Sequence, residues 1–454
     1  MTSTTTFGRR LFPAGALEEP LPFARADART AERFSQLCQR VLLGGAIVST
    51  TLLQKFALPV AGDTPMSVGL ILIGLLTGIG VAVGQLRVHG GNLTLYLLMA
   101  TTLMATQILG GEEFSKSSLA LLLAIHLPYI FRFRDPIDDP RAPLRIYQDL
   151  MLVIAICGIA QFALQFVIGW EKAFLLDTAT PKAFLDPGYH QLNLIGTFGF
   201  VYKANGFFML EASLLSQTAA IAILIELLSF KRWFRIGIYA AAMLVAYSGT
   251  GLILLGLLVP VMLLRAGRYG GLLVFGAALL LVRAFADDLH LTMLIDRVGE
   301  FSNIRSSGFA RFVSIFFLIN DFQLNDLGSF MWGLGAGSIT HMNDVTYYLV
   351  HDPTWGKIVF EYGLLGAVVY FPCFIRMLHP TRRDGYVCAA LLIQYLILGG
   401  YLLTPLVHAL FLSLLVWPWS GQPAASRGSP SDRPREPVRR EPRFGPLPPA
   451  AAPT

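Results

Sequence analysis

Charge is scarce in this sequence. Asp, Glu, Lys and Arg make up only 14% of its 454 residues, against roughly 25% in soluble domains. Over half of the chain, 54%, is hydrophobic, and the mean hydropathy is +0.58. That balance excludes an ordinary soluble protein. The alternation of apolar and polar residues that marks a membrane β-barrel is also missing, because the apolar runs are continuous. Cysteine is sparse: Cys38, Cys157, Cys373 and Cys388 lack metal-ligand spacing and read as small packing residues. No HExxH or comparable ligand set occurs, so neither a metal nor another cofactor is expected. The net charge of +6 says little about nucleic acid, since in a membrane protein the distribution of Lys and Arg matters more than their sum.

What the chain has instead is apolar segments. Twelve candidate spans lie at about 41–60, 66–84, 92–110, 117–133, 149–169, 208–229, 236–249, 250–264, 269–286, 356–375, 386–402 and 404–419. The fold expected is all-α, a polytopic integral membrane protein with about twelve transmembrane helices. Residues 1–40 carry six arginines and read as a basic cytoplasmic arm, helical towards Arg40. The membrane domain covers 41–419. Residues 420–454, rich in Pro and Arg, read as a disordered cytoplasmic tail.

The distribution of positive charge tests this count. With the N-terminus inside, the cytoplasmic connections hold Arg87, then Arg132, Arg134, Arg141 and Arg145, then Lys231, Arg232 and Arg235, then Arg265 and Arg268, then Arg376, Arg382 and Arg383. The opposite connections are poorer in Lys and Arg, so both termini are expected inside. The two longest loops, 170–207 and 287–354, are then outside.

Candidate chemistry gathers in and beside those loops. The first holds Lys203 and Asn205 and leads to Glu211 at the start of a span. Glu211 reads either as a first-turn acid favoured by the helix dipole or as a carboxylate that contacts a sugar hydroxyl. Tyr247-Ser248-Gly249-Thr250-Gly251 reads as a tight outside turn with two glycines free to take positive φ. The second loop carries eight acids but only Arg297, Arg305 and Arg311. Those few arginines read as specific partners, either of a phosphate or of an acid such as Glu300. Phe309, Phe312, Val313, Phe316 and Phe317 recur at helical spacing, which suits an interfacial helix carrying Arg311. Gly333, Gly335 and Gly337 lack the strand and helix context of a nucleotide loop and read as a turn. His351, beside Asp352, reads as a helix cap or as a proton acceptor near neutral pH.

Taken together, these segments resemble the O-antigen polymerase and ligase superfamily of bacterial membrane enzymes. Asn205-Gly206-Phe207-Phe208 through Glu211 and Ser213 is similar to the family's G-F-x-E-x-S segment, and Ser248-Gly249-Thr250-Gly251 to its Ser-rich turn. Arg311 followed by Trp332-Gly333-Leu334-Gly335, and His351-Asp352 followed by Glu361-Tyr362-Gly363-Leu364-Leu365-Gly366, resemble its later motifs. Asp352 stands where the family usually has an amide, the interval to Gly363 is one residue longer than in ligases, and Ala367 replaces a frequent Thr.

The resemblance implies inverting, metal-independent transfer of glycan from an undecaprenyl diphosphate carrier to a sugar hydroxyl at the periplasmic face of the bacterial inner membrane. It implies His351, Glu211 and Arg311 as catalytic residues and Arg305, Arg297, Lys203 and Asn205 as substrate contacts. The partners it implies are the lipid-linked oligosaccharide and the bilayer, together with flippase and chain-length regulator proteins, and no nucleic acid. A repeat-unit polymerase is favoured by the departures from the ligase pattern. A ligase that uses a lipid A core, a transporter of lipid-linked sugar built around His126, Glu226 and His408, and a non-catalytic scaffold stay open as alternatives.

Overall fold

Backbone N–H and C=O groups in long apolar segments have only each other to bond, and each of the twelve runs forms helix. The computed structural model describes residues 22–61, 64–110, 113–186, 192–195, 200–285, 302–378 and 385–418. The first half of the basic arm, Arg297, Glu300 and the 420–454 tail lie outside the described residues. The principal helices are α1 (Pro22–Thr51), α2 (Val68–Ala82), α3 (Gly90–Gly110), α4 (Lys116–His126), α5 (Ala142–Ile168) and α6 (Ala212–Ile225). They are followed by α7 (Trp233–Val245), α8 (Gly249–Arg265), α9 (Tyr269–Ala284), α10 (Thr354–Leu378), α11 (Gly385–Ile397) and α12 (Pro405–Phe411). The protein is mostly helical. Four of its helical stretches, α3, α5, α6 with its continuation to Phe230, and α10, are long and apolar enough to cross a membrane.

The expectation of helix alone is corrected at two places. Ala57–Ala61 pairs antiparallel with Thr64–Ser67, and Leu86–Val88 with Phe131–Phe133. In the first ribbon Pro59 stands opposite Pro65, and proline neither continues a helix nor donates to a ladder. In the second, Pro128 turns the end of α4 into a short 3-10 segment before the strand begins.

Contacts between connections fall into two sets. In the arginine-rich set, the Ser35 hydroxyl donates to Gln85 and the Gln39 amide to the Asp135 carbonyl. Arg87 lies opposite Arg132 across the second ribbon, and the Phe133 N–H donates to the Trp417 carbonyl. In the other set, Asp186 N–H donates to Lys55 O, Ala204 N–H to Val245 O and Ser115 N–H to Ala336 O.

Helix α6 is the centre of the packing. Every one of its residues is buried, with α5, α7, α8 and α11 around it. Its Ala and Ser side chains allow close approach of neighbouring backbones. The closest is at Gly251, where a Cβ would lie 2.3 Å from the Ser216 carbonyl oxygen. The glycines of the 247–251 turn were expected to supply positive φ, but it is Tyr247 that adopts it, at 44°. Gly251 serves contact instead, inside a turn buried by protein. The outer sides of α5, α7 and α9 show Val167, Phe234 and Leu273 largely exposed, as lipid-facing helices do.

Candidate functional site

Glu211 is held at the head of α6 by a chain of buried polar contacts. Gln161 of α5 accepts from the N–H groups of Asn205 and Gly206, both at 3.0 Å, and its amide donates to Asn205 Oδ1. The Asn205 amide in turn donates to Asp177, which is paired with Lys55 at 2.7 Å. Gly206 and Phe207 then take successive positive φ angles of 69° and 63°, and the chain turns into α6. Asn205, expected at the substrate, is therefore buried with its amide engaged on both sides, and it positions the turn before Glu211. Lys203 is half-buried in the same segment, where its N–H donates to the Asn193 carbonyl.

Glu211 is the N-cap residue of α6 rather than a first-turn acid, with φ −145° and ψ 163°. Its side chain makes no capping bond. Instead Glu211 Oε1 accepts from the Ser213 hydroxyl and from Arg311 Nη2, the latter at 3.2 Å. The sequence leaves an acid open as the partner of Arg311, and that partner is Glu211, a hundred residues away.

Arg311 ends the short helix Ser307–Phe312, whose first turn is capped by the Ser306 hydroxyl accepting from Phe309 N–H. A second short helix, Ser314–Leu318, follows a break at Val313. Phe309, Ile315 and Leu318 pack on Tyr348, Val350 and Phe360 in a small core of their own. The helical spacing of the phenylalanines thus corresponds to two short helices, with Phe316 and Phe317 left exposed. Arg305 lies just before them, exposed and without an ion pair among the described residues. The structure does not bring it to the cluster.

His351 lies in extended chain just before α10. Burial, and then the charge of Arg311, hold its imidazole below the ordinary value, against the opposing pull of Asp352 and Glu211. A histidine so placed is neutral near pH 7 and able to accept a proton. Asp352 Oδ1 is 3.9 Å from His351 Nδ1. Asp352 also binds Lys357 Nζ at 2.9 Å, and Lys357 reaches Glu361 at 3.7 Å one turn further on. Burial alone would raise the Asp352 carboxyl, but Lys357 and His351 hold it below its usual range. Glu211 and Arg311 are therefore paired, with His351 close enough to feel the charge of both, and charges of alternating sign run from His351's neighbour Asp352 through Lys357 to Glu361.

Of this cluster, Glu361 entered the sequence reading only as part of a motif, and Lys357 and Tyr401 did not enter it. Lys357 and Glu361 sit four apart in an apolar span, and charged residues at such a place are themselves a functional signal. Tyr401 left no such signal. Its hydroxyl donates to Gln217 of α6 at 2.9 Å. The Gln217 amide nitrogen, fully buried, finds no acceptor among the described residues.

The glycine turn holds the site together. Helix α10 is broken at Gly363, where φ is 68° and ψ −175°. Leu334 N–H and Gly335 N–H donate to the Phe360 and Glu361 carbonyls at 2.9 and 3.2 Å, taking up acceptors beside the break. A Cβ on Gly333 would lie 2.5 Å from the Glu361 carbonyl, and one on Gly363 would lie 2.4 Å from that of Met331. Backbone approach of this kind admits only glycine.

The histidines weighed for transport lie elsewhere. His126 Nε2 is 2.9 Å from the Tyr370 hydroxyl, and His408 Nδ1 is 2.8 Å from that of Tyr129. Glu226 is bound by Arg232 at 2.6 Å at the far end of α6. Compared with known proteins, the chain matches no family model and no curated protein.

Proposed function

We propose that this protein is an integral membrane glycosyltransferase that polymerises polysaccharide repeat units from an undecaprenyl diphosphate carrier. The observation that supports this reading best is the Glu211–Arg311 pair with His351 within reach of both charges, the three coming from separate stretches of chain. In the reaction proposed, an acceptor sugar hydroxyl attacks the anomeric carbon and gives its proton to His351. The bond from that carbon to phosphate oxygen breaks, and the lipid diphosphate leaves with its added charge facing Arg311. Glu211 keeps the guanidinium aimed. A preorganised cation in a site that excludes water stabilises developing charge without reorganisation. No metal or cofactor is part of the proposal. The twelve helices all cross the inner membrane in this reading, with both termini cytoplasmic and the site at the periplasmic face.

Deletion of the protein, followed by glycan analysis, tests the assignment. Single repeat units capping the lipid are expected, whereas long chains left on the carrier would indicate a ligase. Arg311→Ala and His351→Ala, each with expression verified, are expected to restore no long chains. Wild-type glycan length in both overturns the proposal.

A transporter of lipid-linked sugar is the second reading, favoured by the break of α10 at Gly363 beside buried Lys357 and Glu361. Broken helices with ionisable groups near the bilayer midplane mark many transporters. Glu361, however, stands seven residues into α10. At about 1.5 Å per residue that is roughly 10 Å from its end, short of the midplane of a hydrocarbon core about 30 Å thick. In the deletion strain, precursor accumulating on the cytoplasmic side would favour the transporter.

A further inference from the structure

At the opposite end of α6 the helix widens into a π turn, Glu226–Phe230, and leaves it through Lys231 in a left-handed conformation with φ 59°. The tight α8–α9 turn, with Gly267 at φ 64°, lies across from it. Between them is a cavity of about 550 Å³, within the usual range of about 300–1,000 Å³ for small-molecule sites. A neighbouring cavity of about 320 Å³ shares much of its wall and extends to Arg265 and Tyr386.

The walls are apolar, formed by Leu227, Met262 and Leu263, while the cations are Lys231, Arg265 and Arg268. Among the described residues no acid lines either cavity. The nearby carboxylate of Glu226 is already bound by Arg232 through contacts of 2.6 and 3.0 Å. Lys231, Arg265 and Arg268 form no ion pair among the described residues. Trp233 and Tyr269 stand at the rim, 71% and 67% exposed, as aromatic side chains do at the depth of lipid headgroups. The adjoining surfaces of α8 and α9 show exposed Leu264 and Leu273.

We infer that this cavity binds a phospholipid with an anionic headgroup, its phosphate between Lys231, Arg265 and Arg268 and an acyl chain against Leu227, Met262 and Leu263. Three cations without an ion pair among the described residues call for an anion, and apolar walls that open towards lipid-facing helices call for a hydrocarbon chain. A nucleotide or a free phosphate would leave the walls uncovered. The inference does not depend on the glycosyltransferase reading, because the site lies at the other end of α6 from Glu211.

The test uses the full-length chain, purified in detergent and stripped of lipid. It is given equal amounts of phosphatidylglycerol and phosphatidylcholine with identical acyl chains, and bound lipid is read by native mass spectrometry. Each basic side chain near a headgroup is worth about fivefold in binding. The preference of the wild type for phosphatidylglycerol is therefore expected to fall by at least that factor in Lys231→Gln/Arg265→Gln/Arg268→Gln. Arg376→Gln, which removes an arginine from another connection of the same charge-rich set, is expected to keep the preference. Met262→Trp fills the cavity without changing charge and is expected to lower retention of phosphatidylglycerol. Millimolar inorganic phosphate is expected not to displace the lipid. Unchanged preference in the triple variant, an equal loss in Arg376→Gln, or displacement by phosphate overturns the inference. If melting shows the triple variant to be unfolded, Met262→Trp decides, and full lipid retention in it overturns the inference as well.

Discussion

Replacing Lys357 by Met perturbs the site at its most deeply buried cation. The lysine side chain is 4% exposed, Glu361 is 1% exposed and Asp352 is 29% exposed. The two carboxylates therefore respond differently to loss of the cation. Asp352 stays partly solvated, and an ion pair of that kind is worth only about 0–1 kcal/mol. Glu361 has almost no access to water, and breaking a buried pair by removing one partner costs about 3–5 kcal/mol. Most of the expected destabilisation, on the order of 3–5 kcal/mol in total, thus comes from the stranded Glu361.

The double variant Lys357→Met/Glu361→Gln separates that cause from lost packing. Glutamine matches glutamate closely in volume and leaves no charge stranded beside the lost lysine. Exchanging a buried pair for neutral groups of similar volume is often close to neutral. Stability in the double variant is expected to return to within about 1 kcal/mol of wild type, a coupling on the order of 2–4 kcal/mol. The assay is reversible unfolding in mixed detergent micelles, run as a double-mutant cycle. A single variant as stable as wild type, or additive losses in the double variant, would refute the reasoning.

Other perturbations probe the same site. Arg311→Ala is expected to slow glycan polymerisation in membranes by a factor of about 10² to 10³, as for loss of one charge-stabilising contact in a transition state; a loss under tenfold contradicts its assigned role. Burial and Arg311 hold His351 below its ordinary value, so the neutral base persists to lower pH than in a free imidazole, and Arg311→Gln is expected to move the acidic limb of any residual pH–rate profile upwards; an unmoved limb argues against His351 as the base. The Asp352 carboxyl is depressed, so its stabilising contribution is complete above the unfolded value near ~4 and is lost as pH falls through the folded value. Lys357→Met removes the main cause of that depression, and acid unfolding is expected to begin at higher pH; an onset unchanged from wild type contradicts this. Gly333→Ala places a Cβ 2.5 Å from backbone at φ 88° and is expected to cost well over ~2 kcal/mol. Gly84→Ala, at φ 73° in open space, is expected to cost only about 1–2 kcal/mol, and equal melting shifts in the two would contradict the packing account.

Hydrophobic runs made most of the helices legible, because an apolar segment without water has few ways to satisfy its backbone. Their ends were less legible. The span expected at 41–60 stops at Thr51 and gives way to a proline-containing ribbon, a choice decided by pairing with Thr64–Ser67 rather than by hydropathy. Glu211, Arg311 and His351 stood out as rare polar groups beside apolar runs, but nothing in one dimension says that residues a hundred positions apart will touch. Asn205 shows the opposite difficulty. Amides suited to a sugar are equally suited to a buried clamp, and Gln161 and Asp177 became its partners only on packing. Lys357 was hidden among apolar neighbours, although its spacing from Glu361 was plain.

The glycine turn gives the deepest reason why the site assembles. Read as a motif, Gly333, Gly335 and Gly337 have no ligand chemistry. In the fold they let the backbone after Trp332 enter the break in α10, where Leu334 and Gly335 bond the Phe360 and Glu361 carbonyls. Gln107 of α3 binds both sides of the junction, accepting from Ala336 N–H at 2.6 Å and donating to the Glu361 carbonyl at 3.2 Å. The loop that follows the Arg311 helix is thereby fastened to the helix that follows His351. Arg311 itself is carried by a small core that includes Phe360, the residue whose carbonyl receives Leu334. The position of the guanidinium against Glu211 is thus tied to the break at Gly363 through packing and hydrogen bonds together. For the glycosyl transfer proposed above, such fastening would hold the cation still while charge develops, since a mobile arginine would lose its advantage to reorganisation.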